Sequence, residues 1–132
     1  MRFTPPGQKQ LLQLTVAVAG LVPVGAGLSG VIGGAGLAGV AGGVSLDSHV
    51  RYLSGLLLAI ELLFWSAIPA IERRTALVRT LTLIVVVGGL ARAYGIYSKG
   101  LPSTGMRFAL LMELAVTPAL CLWQARVARA SA

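Results

Sequence analysis

Acidic residues are nearly missing from this sequence. Four Asp and Glu stand against eleven Lys and Arg, and charged residues make up only 11% of the 132 positions. A soluble domain carries about 25%, so an ordinary water-facing surface is excluded. The single cysteine, Cys121, excludes an internal disulfide. There is one histidine, and no CxxC, HExxH, phosphate-binding glycine loop or acyl-transfer serine elbow. Basic residues form no run and no patch interleaved with aromatics, which removes the electrostatic footprint of a nucleic-acid binder.

What remains is apolar. Hydrophobic residues make up 56%, and the mean hydropathy is +0.84. The length has room for one domain. The balance is that of an integral membrane protein with almost no soluble part. The net charge of +7 sits at segment ends, where it sets topology and meets anionic headgroups.

No charged residue lies between Lys9 and Asp47, a stretch longer than the roughly 20 residues that span a bilayer. The first spanning helix is expected over 11–28. A secretory signal is the rival reading, but the apolar stretch is long for one. Gly30, Gly33, Gly36, Gly39 and Gly42 then recur every third residue. Glycine-rich backbone is weakly helical, so 29–46 is expected as a small apolar connection lying on the bundle. The rival is a re-entrant segment, or a tight contact in which these glycines pack against a partner.

The second helix is expected over 48–69, with Glu61 the only charge between Arg51 and Glu72. The turn Ile71-Glu72-Arg73-Arg74 leads into a third helix over 75–97. Lys99 to Ser103 is a turn, and Ser103 or Thr104 caps a fourth helix over 104–127. The expected fold is therefore all-α, an integral membrane four-helix bundle. Four spans put both termini on one side, with Arg2, Lys9, Arg73, Arg74, Arg79, Arg126 and Arg129. The other side has only Arg51, Arg92, Lys99 and Arg107. The positive-inside rule then places both termini in the cytoplasm. Trp65 and Trp123 fall toward the inner face, and Tyr52, Tyr94 and Tyr97 toward the outer one.

Ionisable residues inside such spans usually face the bundle interior and pair there. Arg51, Ser54, Leu58 and Glu61 share one face of the second helix; Glu113, Thr117, Cys121 and Gln124 share one face of the fourth. Measured from the outer ends of their helices, Arg92 and Glu113 differ in depth by about 3 Å at 1.5 Å per residue. A pair between them is expected, and Arg51 is in reach to join it. Such a pair either fixes helix register or builds a substrate, proton or cofactor site. Pro118 frees the carbonyl of Leu114 beside Glu113, which kinks the helix or opens a pocket. Glu61 has no evident cation at its depth. It is either protonated, or it faces a partner protein or a polar ligand. His49, with Tyr52 nearby, sits at the outer mouth, where it is a candidate haem ligand, a proton acceptor or an interfacial hydrogen-bonding residue.

The run Ser45-Leu46-Asp47-Ser48-His49-Val50-Arg51-Tyr52-Leu53-Ser54-Gly55 resembles the signature of a numbered bacterial "domain of unknown function" family of small four-helix membrane proteins. So do Ile68-Pro69-Ala70-Ile71-Glu72-Arg73-Arg74, Gly88-Gly89-Leu90-Ala91-Arg92 and Met112-Glu113-Leu114. The resemblance covers nearly the whole chain. It implies that His49, Arg51, Arg92 and Glu113 match the family's polar positions, and it implies no activity. The glycine run is longer and more regular than that family's usual first loop. Architecturally the chain is also similar to styrene oxide isomerase, a small four-helix membrane protein with a haem-ligating histidine at the start of its second helix. His49 occupies a comparable place, although the residues after it do not match well.

The expectation that follows is a structural role rather than an enzyme. The chain would pack as an accessory subunit of a larger complex in the bacterial inner membrane, respiratory or photosynthetic, among lipids and other membrane subunits. One rival is an isomerase-like enzyme or a binder of a lipophilic compound, using haem on His49 or the Arg92–Glu113 pair. A transporter of protons or small molecules is another, although four helices are few and no internal repeat is visible.

Overall fold

A computed structural model describes residues 6–37 and 41–132. The fold is all-α. Helix α1 runs Pro6–Leu37 and α2 runs Val44–Ala67, followed by a 3-10 turn, Ile68–Arg73. Helix α3 is Thr75–Lys99. Helices α4 (Thr104–Leu111) and α5 (Thr117–Ala130) are joined without a break by a π-helical turn, Met112–Val116. Four helical stretches are long and apolar enough to cross a membrane: Gly7–Leu37, Val44–Arg73, Thr75–Lys99 and Thr104–Ala130. The chain is a multi-pass membrane protein.

The chain divides into two compact units. One is Gln13–Pro69; the other combines the described residues up to Leu12 with Ala70–Ala132. The first is a hairpin of α1 and α2. The second is a hairpin of α3 and α4–α5, joined by the start of α1.

The first helix extends nine residues beyond its expected end at Leu28. Gly30, Gly33 and Gly36 are helical, and the irregular connection expected over 29–46 shrinks to residues 41–43 among those described. Gly39 lies outside the described residues. Tertiary contact overrides glycine's weak propensity here. A Cβ on Gly27 would press on Leu58 N and Ser54 O, at 3.1 Å each, and one on Gly30 would collide with the Ser54 side chain. Bare backbone on α1 thus lets α2 come close. The helix breaks only at Gly34, whose φ of 60° and ψ of −150° suit glycine almost alone.

The second unit follows more ordinary rules. Ser103 caps α4, its Oγ accepting from Met106 N at 3.4 Å. Gly100, at φ 100°, ends α3. Its core includes Leu12, Ile71, Val78, Leu81, Ala125 and Val127. Buried Gln124 donates to Ile71 O at 2.8 Å and Thr75 Oγ1 at 3.0 Å, which ties the turn after α2 to α5. Trp123 Nε1 donates to Gln8 Oε1 at 2.8 Å, and Lys9 pairs with Glu72 at 3.1 Å.

Candidate functional site

Two polar assemblies lie within the spans, one in each unit. In the first, Asp47, Arg51, Ser54, Leu58, Glu61 and Trp65 alternate by four and three residues along α2, so they form one stripe. That stripe faces the glycines of α1. A Cβ on Gly34 would collide with Asp47 and crowd Arg51, and one on Gly20 would collide with Trp65 Nε1 and Glu61 Oε1. The large polar side chains of α2 therefore lie where α1 has no side chain.

At the Gly34 break the α1 ladder needs outside partners. Asp47 Oδ1 accepts from Ala35 N at 2.9 Å, on the far side of the break. Arg51 Nη1 donates to Val31 O at 2.9 Å and Ile32 O at 3.1 Å, on the near side. Arg51 Nε donates to Asp47 Oδ2 at 2.8 Å, closing the clasp. Arg51 is thus spent on α1 backbone and on Asp47. Sequence reasoning missed Asp47. Its signal was an Asp and an Arg four apart in the first turns of a helix, beside a glycine-rich strand of chain.

Glu61 is 9% exposed and has no ion-pair partner among the described residues. Trp65 Nε1 beside it is buried and makes no hydrogen bond among the described residues. Gly20 gives both the room to lie against α1.

In the second unit Arg92 donates to Glu113 through two nitrogens, Nε to Oε2 and Nη2 to Oε1, each at 3.1 Å. This parallel two-bond geometry is the strong form of an Arg–carboxylate pair. Gly89 makes room for it: a Cβ there would lie 3.0 Å from Glu113 Cβ and 2.7 Å from Leu114 Cδ2. Glu113 stands in the first part of the π turn. Pro118, just beyond, has no N–H to give Leu114 O, and its ring crowds that carbonyl. The helix answers by widening. Thr117 N reaches Met112 O, and Thr117 Oγ1 donates to the same oxygen at 2.8 Å. Such turns re-aim the side chains they carry and are frequent at functional sites. The pair leaves Nη1 of Arg92 outside it, and the two side chains keep 34% and 18% of their surface exposed.

His49 and Tyr52 are exposed near the start of α2. Of the triplet glycines, Gly33 and Gly42 border Leu37 and Leu46 of their own stretches, and Gly36 borders open space. No group of three His, Cys, Asp or Glu able to hold a metal ion occurs among the described residues.

Residues 11–124 match a family described as "Domain of unknown function (DUF4345)". The chain belongs to that family. The DUF4345 match takes in both polar assemblies, from Gly20 to Gln124, and assigns none of their residues a role. No curated protein matches the chain, and no solved structure does.

Proposed function

We propose that this DUF4345 protein is an accessory subunit that packs within a larger complex of the bacterial inner membrane, respiratory or photosynthetic, with both termini cytoplasmic. One observation carries the reading. In the most apolar window of each span, 22% of the residues or fewer are buried by the chain itself. Most residues in such spans keep part of their surface free for lipid or for other helices. Gly25, Gly88 and Gly95 border open space, and small residues of that kind let neighbouring backbones approach closely in a membrane. The described charges inside the spans are largely committed. Arg51 is held by Asp47 and α1 carbonyls, and Arg92 by Glu113.

A second reading has its own observation. The Arg92–Glu113 pair sits on a widened turn with one edge of Arg92 outside it, an arrangement suited to gripping a polar group on a lipophilic compound in the outer half of the bundle. One experiment separates the two. The protein is released from its native membrane in mild detergent and its native mass recorded. The accessory reading expects an assembly of different subunits. A homo-oligomer of 13.6 kDa chains carrying additional small-molecule mass would overturn it in favour of ligand binding.

A further inference from the structure

We infer that the end of the second unit where α3 begins and α5 ends is a docking surface for anionic phospholipid headgroups. Antiparallel α3 and α5 bring Arg73, Arg74, Arg79, Arg126 and Arg129 to this end, and all five are exposed. The acid among them, Glu72, is already held by Lys9 at 3.1 Å; Arg73 approaches it only to 3.9 Å. The side chains of Arg74, Arg79, Arg126 and Arg129 have no ion-pair or hydrogen-bond partner among the described residues.

Arg129, in the last turn of α5, suits the negative end of that helix's dipole, but the α3 arginines have no such support. Arg74 is the cap residue of α3 and Arg79 lies in its second turn, with no acid in the first. That is the positive end of the helix dipole, where a cation is disfavoured. Arg126 and Arg129 stand three apart on α5 and repel one another. An external anion relieves both conflicts.

The neighbouring residues choose between a lipid and an acidic protein. Arg79 lies one turn from Leu83 and Arg126 one turn from Leu122, each pair on one helix face. The leucines are 64% and 66% exposed. A guanidinium with a bare apolar side chain directly below it matches a phosphate headgroup with its acyl chain. An acidic protein loop would leave the leucines uncovered. Anionic lipids draw such basic segments to the membrane surface, and the attraction fades with salt.

The test is native mass spectrometry of the full chain from mixed micelles holding equal amounts of phosphatidylglycerol and phosphatidylcholine. Phosphatidylglycerol adducts should exceed phosphatidylcholine adducts several-fold. The excess should vanish in the R79Q/R126Q double variant, survive in R79K/R126K, and survive in R107Q, a change at the opposite end of the hairpin. Should the double variant not fold, the wild-type excess must fall as salt is raised. Equal retention of the two lipids, or an excess unchanged by the double variant and by salt, overturns the inference. So does an acidic protein subunit that binds at these arginines while the lipids show no preference.

Discussion

The two hairpins use charge in opposite ways. In the first, Asp47 and Arg51 are neighbours on one helix, and their main partners are backbone groups of α1 around Gly34. The charges repair a broken ladder. In the second, Arg92 and Glu113 come from different helices and bind one another through two hydrogen bonds. There the charges hold two helices in register. The exposures follow the roles: 46% and 37% for Arg51 and Asp47, against 34% and 18% for Arg92 and Glu113. A charge that serves backbone can stay near the surface. One that sets register between helices must lie between them, and losing its partner there is more damaging.

The largest expected effect breaks the second hairpin. Arg92→Leu strands Glu113 without its cation and should lower stability by about 3 kcal/mol, the low end for a buried pair because Arg92 keeps a third of its surface exposed. Arg129→Leu, on an exposed last turn, should change stability by no more than about 0.5 kcal/mol. Removing both partners, as Arg92→Leu with Glu113→Leu, should recover much of the loss, since an apolar pair of similar size is often neutral. Thermal melts in one detergent compare all three. If Arg92→Leu and Arg129→Leu melt alike, the pair does not set register.

Next in size is a pair of substitutions that tests the glycine seam of the first hairpin. Gly27→Ala drives a methyl against Leu58 N and Ser54 O, backbone atoms that cannot swing away. It should cost about 2 kcal/mol, as overpacking does. Gly25→Ala meets nothing within 4 Å on the same helix. It should gain about 0.5 to 1 kcal/mol by relieving glycine's entropy. Opposite signs two residues apart would establish the seam. A loss in both would mean that glycine in α1 serves some other contact.

The second hairpin was the more legible from sequence. Its turns carry their own chemistry: Gly100 and Pro102 stop one helix, and Ser103 starts the next. Comparable depths along two apolar spans pointed from Arg92 to Glu113. The π turn was visible only as its cause, Pro118, because a proline's effect on the turn before it depends on what that turn packs against. In α1 the local rule misled. Glycine every third residue reads as a helix breaker, yet Gly30 and Gly33 stay helical, Gly30 with α2 resting against it, and only Gly34 breaks. The glycines that meet α2, namely Gly20, Gly27, Gly30 and Gly34, follow a coiled-coil-like spacing. The regular triplet run masks it. The hydrogen bonds of Arg51 were not legible, because sequence shows Asp47 four residues away but not the carbonyls that α1 leaves open.

The smallest effect asks what Asp47 contributes, its charge or its lone pair. Ala35 is 4% exposed, and its N–H has Asp47 Oδ1 as acceptor at 2.9 Å. A buried N–H left without an acceptor is expensive. The ion pair with Arg51 is exposed on both sides, and such pairs contribute little. Asp47→Asn keeps an oxygen for Ala35 N and gives up the charge, so its melting temperature should fall only slightly, less than that of Gly27→Ala. Asp47→Ala removes the acceptor and should fall clearly further. Raising salt should leave the gap between the two variants unchanged, because a neutral N–H and its acceptor are not screened. If Asp47→Asn is as damaging as Asp47→Ala, the charge pair with Arg51 is the working part of the clasp, and the first hairpin resembles the second after all.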